Sequence, residues 1–115
     1  MYDKHDGGRL VARTLAASGV KNLFCLQGGH IDSLLYGAHN EGIRIVDTRH
    51  EQAAAHMAEG WALATGEAGV AAVTAGPGVS DAITGLANAH MSLSPMMLLC
   101  GARPWRMPTP GRCRT

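Results

Sequence analysis

Short apolar runs alternate with amphipathic stretches along this chain, with glycine or proline near most junctions. Leu10, Val11, Leu15 and Ala16 fall near helical spacing, which predicts a helix over residues 7–18 that Gly19 stops. Val20-Lys21-Asn22-Leu23-Phe24-Cys25-Leu26 reads as a short buried strand, and Gln27-Gly28-Gly29-His30 frees the backbone to turn sharply at its carboxyl end. Ile31, Leu34, Leu35 and Ala38 share a helical face that ends at Gly42, and residues 43–47 alternate like a second strand. A helix follows over residues 50–65, closed by Gly66. Residues 70–75 predict a small-residue strand, Gly76-Pro77-Gly78 a turn, and residues 79–92 a helix carrying Ile83, Leu86, Ala87 and His90 at helical spacing. Ser94-Pro95 breaks it, and Met96-Met97-Leu98-Leu99-Cys100-Gly101 is apolar throughout, as for a strand covered on both faces.

Strands alternating with helices through short loops specify an α/β fold: a doubly wound parallel sheet with right-handed crossovers and helices on both faces. Ligands of such sheets bind outside the carboxyl ends of the strands. Gln27-Gly28-Gly29, Asp47-Thr48-Arg49-His50-Glu51 and Ala75-Gly76-Pro77-Gly78 all lie at that edge, so three separated segments converge on one rim. Glu51 stands out among them. It opens an alanine-rich helix whose apolar or small residues at 53, 54, 55, 57, 58, 61, 62 and 63 mark it for burial, which sets a carboxylate at a positive helix end beside a dry interior. The plain alternative is an acid that only complements the helix dipole.

Composition narrows the choices. A chain of 115 residues makes one small domain. With 46% hydrophobic and 17% charged residues, and Lys+Arg 10 against Asp+Glu 9, nucleic acid is not the implied partner. Aromatics at 4% beside 15 glycines suggest close backbone approaches in place of a core of large rings. Cys25, Cys100 and Cys113 are odd in number and far apart, so they suggest neither a disulfide framework nor zinc; Cys25 and Cys100 read as structural thiols in apolar strands. The N-terminus carries both charge signs, and no stretch reaches the apolar length of a membrane span, so a cytoplasmic protein with no membrane partner is expected. Residues 103–115 hold three prolines and four arginines without hydrophobic period and are expected to form a disordered tail.

Two motifs invite other chemistry. His50-Glu51 with His56 suggests a metalloprotease helix, but that needs histidines four apart; six apart is about 600° of rotation, which sets the rings on roughly opposite sides, so no metal site is assigned. Gly76-Pro77-Gly78 lacks the third glycine of a dinucleotide fingerprint, and no phosphate-loop lysine follows. Asp81 in the first helical turn would repel a phosphate, so the loop is better suited as a wall beside an uncharged ring. Trp61 is a candidate for drying the surroundings of Glu51, with ordinary packing as the alternative.

Arg49-His50-Glu51-Gln52-Ala53-Ala54-Ala55-His56-Met57-Ala58-Glu59-Gly60-Trp61-Ala62, followed by Thr74-Ala75-Gly76-Pro77-Gly78, resembles the N-terminal pyrimidine-binding domain of thiamine-diphosphate-dependent enzymes of the acetolactate synthase-like group. Gln27-Gly28-Gly29 resembles that family's first glycine loop, and Asn88-Ala89-His90 with Ser94-Pro95 its approach to the fourth strand. The resemblance implies that residues 1–102 are a partial domain of this kind, and that Glu51 is the catalytic acid that hydrogen-bonds the aminopyrimidine and so activates the cofactor. It implies a cofactor-binding rim of Gly28, Gly29, Glu51, Gly76, Pro77, Gly78 and Asn88, with His30 as a neighbour. Asp81 stands where many members carry Asn, and Gly101-Ala102 where many carry Gly-Gln. The chain has no Gly-Asp-Gly with a downstream Asn, so magnesium and the diphosphate are expected to be held by a domain absent from it. The implied function is that of a fragment of a carboligase or lyase acting on 2-oxo or 2-hydroxyacyl substrates, inactive alone, and working as a homo-oligomer or with a diphosphate-binding partner domain. The alternative from a different class is a non-catalytic α/β binding or oligomerisation module.

Overall fold

The computed structural model describes residues 6–102. In chain order it comprises α1 (Gly7–Ala17), β1 (Asn22–Cys25), α2 (Asp32–Asn40), β2 (Arg44–Asp47), α3 (Glu51–Thr65), β3 (Gly69–Val73), α4 (Pro77–Met91) and β4 (Met96–Cys100). The strands form one sheet in the order β2-β1-β3-β4, parallel at every pairing. Helices cover both faces, as the alternation of elements predicts.

The two-residue period of the strands decides what each face packs. Leu23 and Cys25 of β1, with Val70 and Ala72 of β3, join Ala12 and Leu15 of α1 and Leu34 and Ala38 of α2. Phe24 and Ala71 point the other way, onto Ala54 and Ala58 of α3, and Val73 joins Ala55 and Ala82 where α3 meets α4. Alanine and glycine make this second layer thin. A Cβ on Gly85 would lie 2.5 Å from the Ala55 Cβ, and the backbone of Gly69 sits directly against the Ala58 carbonyl.

Helix ends follow local chemistry. The Asp6 carboxylate accepts the Gly8 N–H at 2.8 Å at the start of α1, and Gly66 ends α3 in the left-handed conformation at φ 72°. The expected turn at Gly76-Pro77-Gly78 is shorter than its sequence suggests. Pro77 already opens α4, because its fixed φ suits the first helical position and its missing N–H would have no helical partner there.

The expectation that β4 is covered on both faces is not met. Among the described residues it is an edge strand: Met97, on the α1/α2 side with Val70, is 49% exposed beside the flank of α1, and Cys100, on the opposite side with Val73, is exposed as well. Leu10 and Val11 of α1 are likewise exposed and line a groove of about 400 Å³ with Leu15, Val70, Met97 and Leu99. Among the described residues no helix is long and apolar enough to cross a membrane. The tail at 103–115 lies outside the described residues.

Candidate functional site

The chain leaves β1 through α2 to reach β2 on one side, then crosses by α3 to β3 on the other side of β1. The loops after β1 and β3 therefore part to opposite faces at neighbouring strand ends, which is where open α/β sheets form a crevice. Thr74, the first residue after β3, lies at its centre. A Cβ on Gly28 would fall 2.5 Å from the Thr74 Cβ, and one on Gly78 would fall 3.0 Å from Thr74 Cγ2 and 3.3 Å from Glu51 Oε1. The Thr74 hydroxyl stands 3.4 Å from His30 Nδ1. Glycines at 28 and 78 thus let three loops close on one threonine, with the Glu51 carboxylate alongside.

Thr48 brings Glu51 to this place. Its N–H donates to the Cys25 carbonyl at 2.8 Å, and its hydroxyl lies 3.1 Å from that carbonyl and 3.0 Å from the His50 carbonyl. A buried residue thereby ties the β2–α3 turn to the end of β1. His50 caps α3, its Nδ1 accepting the Gln52 N–H at 3.1 Å, and half-buried Glu51 is the first helical residue. Ligand atoms of His50, Glu51 and Asp81 all lie within 4.8 Å of one another. Gly76 holds φ 74° and ψ −125°, a region that side chains disfavour, and aims α4 at the rim.

The predicted rim residues are not all assembled alike. Gly28 and Gly78 close on Thr74 with Glu51 alongside, whereas Gly29 and Gly76 are exposed with open space around their α-carbons and Pro77 is exposed at the start of α4. Asn88 is elsewhere, about 16 Å along α4 from Pro77 at helical rise, towards the opposite edge of the sheet. Its amide donates to both oxygens of buried Glu59 at 2.8 Å, where the Ser92 hydroxyl also donates at 2.7 Å and His56 Nδ1 lies at 3.3 Å. The Asn88 and Ser92 hydrogen bonds hold the Glu59 carboxyl below the usual carboxylate range, burial opposes them, and His56 adds to the lowering. Trp61 does not dry Glu51. It lies about 15 Å down α3, and its ring meets Phe24 at a centroid distance of 6.4 Å.

Thr74, Thr48 and Glu59 were absent from the expected site. Thr74 could have been found as the residue immediately following a strand at the switch point. Glu59 carries a weaker signal, an acid between Ala55, Ala58 and Ala62 on the buried stripe of α3. Thr48 depends on the fold, since its partner, the Cys25 carbonyl, is distant in sequence. A hollow of about 350 Å³ beside α2 and β2 shares Gln27 with the rim but does not include Glu51.

Residues 5–109 match the model of the thiamine pyrophosphate enzyme N-terminal TPP-binding domain. The chain belongs to this family. It is 50% identical over 97 residues to a probable acetolactate synthase of Mycobacterium bovis, covering 84% of this chain and 18% of that protein. It is 51% identical over 96 residues to human 2-hydroxyacyl-CoA lyase 2, covering 84% of this chain and 15% of that protein, and 50% identical over 101 residues to the Caenorhabditis elegans protein of the same name, covering 88% and 16%. The chain therefore spans less than a fifth of the length of these curated relatives. As a TPP-binding domain it supplies a pyrimidine half-site.

Proposed function

We propose that this chain is the pyrimidine-facing half of a thiamine-diphosphate site, in which Glu51 hydrogen-bonds the aminopyrimidine, within a carboligase or lyase acting on 2-oxo or 2-hydroxyacyl substrates. The observation that carries the reading is the convergence of Gly28, Thr74 and Gly78 on one half-buried carboxylate. Glycine at 28 and 78 lets two loops lie directly against the Thr74 side chain, and at 78 against Glu51 itself, so no bulky side chain from either loop crowds the carboxylate, which suits a flat ring with one polar edge. When bound, thiamine diphosphate supplies the carbanion chemistry. Glu51 accepts or holds a proton at its carboxylate, and the two glycine loops and Thr74 orient the ring against it.

The rim suits the diphosphate less well. Glu51 and Asp81 face each other there, and the nearby Arg49 is 3.8 Å from Asp47. Two acids beside the space disfavour a further anion, so the diphosphate, together with the magnesium it carries, is assigned to a separate domain, in the same assembly or a partner subunit.

Residues 7–102, exchanged for the matching segment of a full-length relative, provide the test. Glu51→Gln in that chimera is expected to slow hydrogen–deuterium exchange at the thiazolium carbon by roughly 10²–10⁴-fold, the range for loss of a positioned acid–base group. An unchanged exchange rate would remove Glu51 from the role.

A further inference from the structure

The first turn of α3 is closed by a histidine, which is not among the residues that usually open helices. Ser, Thr, Asp and Asn cap through a side-chain oxygen. Here His50 Nδ1 accepts the Gln52 N–H at 3.1 Å from an extended backbone at φ −158° and ψ 144°. The His50 carbonyl accepts the Ala53 N–H at 3.1 Å and the Ala54 N–H at 3.3 Å, and the Thr48 hydroxyl lies 3.0 Å from the same oxygen. Glu51 is therefore bracketed. The ring bond runs from residue 50 to residue 52 and closes around the Glu51 backbone, so it constrains the direction in which the Glu51 side chain leaves the helix.

An imidazole nitrogen accepts a hydrogen bond only when it carries no proton. The cap consequently selects one state of the ring, neutral and with its proton on Nε2. An aspartate here would cap as well, yet it would add a third carboxylate beside Glu51 and Asp81, which each place an oxygen within 4.8 Å of the other and of a ring nitrogen of His50. A neutral imidazole accepts the backbone N–H without adding negative charge. The charges around the ring act in opposite senses. Glu51 on α3 and Asp81 on α4 favour an imidazolium, while the positive end of α3 disfavours it, as does Arg49, whose charge is partly offset by Asp47 at 3.8 Å. The bond to Gln52 is present while the ring is neutral and is lost as falling pH protonates it.

We propose that His50 is a positioning residue for Glu51: its neutral ring holds the first turn of α3 and so sets the carboxylate beside Gly78 and Thr74. This rests on the assignment of Glu51 to the aminopyrimidine. The place is a fitted one, since a Cβ on Gly78 would lie 3.3 Å from Glu51 Oε1 and 3.0 Å from Thr74 Cγ2, and a first turn that frays takes the carboxylate out of it.

Two measurements, one of them without cofactor, test the role. In the full 115-residue chain, NMR follows the His50 ring and the exchange of the Gln52 amide over a pH series. The amide is expected to lose about fivefold in protection factor along the same curve as the ring gains its proton, a step absent from His50→Asn, whose side-chain oxygen caps in acid too. His50 is exposed, so neither this change nor His50→Ala removes a core contact. In the chimera carrying residues 7–102, exchange at the thiazolium carbon is expected to be about fivefold slower in His50→Ala than in wild type, with most of the loss restored in His50→Asn. The acid limb that follows the His50 ring should be missing from the His50→Asn profile. A Gln52 amide indifferent to the ring would overturn the cap, and a wild-type rate in His50→Ala would overturn the positioning. His50→Asn as slow as His50→Ala would show that the ring does not act through the cap, and would overturn it equally. Should Glu51→Gln leave the exchange unchanged, the assignment of Glu51 falls and the positioning with it, while the amide titration still decides the cap.

Discussion

Two acids on α3 meet opposite surroundings. Glu51 opens the helix at the rim, whereas Glu59, two turns on, is buried and accepts from Asn88 and Ser92. Those bonds lower the Glu59 pKa from 4.5, so its contribution to stability is complete above that value and is lost as pH falls through the lower, folded pKa. Glu59→Gln should be less stable than wild type near neutrality, and its urea midpoint should fall less on acidification below about pH 5. An identical acid slope in both proteins would contradict this. Cysteine reactivity separates in the same way. Burial, with Asp47 adding to it, pushes the Cys25 thiol up to about 11; burial raises the Cys100 thiol as well, but Cys100 is exposed to reagent and Cys25 is not. Iodoacetamide at mildly alkaline pH should modify Cys100 in the native protein and reach Cys25 only on unfolding, as peptide mass mapping would show. At this scale the sequence was partly legible. The position of Glu51 followed from strand and helix periods, but Asn88 was placed at the rim by resemblance alone, and its pairing with Glu59 depends on how α4 lies across α3.

The pairing of α3 with α4 rests on small residues. An alanine at 85 would gain up to about 1 kcal/mol in helix propensity. Its Cβ, however, would lie 2.5 Å from the Ala55 Cβ and 3.2 Å from the His56 nitrogen, neither of which is the end of a flexible side chain. Overpacking of this kind costs about 1–3 kcal/mol, so the clash outweighs the propensity gain. Gly85→Ala should therefore destabilise the chain by up to about 2 kcal/mol in urea denaturation, and the same change at exposed Gly60 should not. Hydrophobic period and turn residues made the order of these elements legible. They did not distinguish a central strand from an edge strand, because Met96-Met97-Leu98-Leu99-Cys100 reads as buried whether or not anything covers it. The start of α4 was misplaced for a related reason: Pro and Gly mark turns and also first helical turns.

For the molecule as a whole, charge at the rim sets the expected binding behaviour. Glu51 and Asp81 face the space in which a diphosphate-bearing ligand would lie. Titration calorimetry of the isolated chain with thiamine diphosphate and magnesium should show no tight binding, and a tight, stoichiometric isotherm would mean that the chain carries its own diphosphate grip. The parallel topology was legible from the alternation of elements, and with it the edge at which the loops gather. The closeness of that gathering was not, because it depends on Gly28 and Gly78 lying against Thr74 in space.

The order β2-β1-β3-β4 divides the chain into two halves. Residues through β2 carry the helices of one face, and residues from α3 onward carry those of the other. Between them the sheet is joined by a short β1–β3 register, Phe24 with Ala71 and Cys25 with Ala72. The rim closes the end of this seam, with Gly28 and His30 on one side and Thr74 on the other. A molecule seated there would act as a rivet between the halves, resisting their separation by touching both.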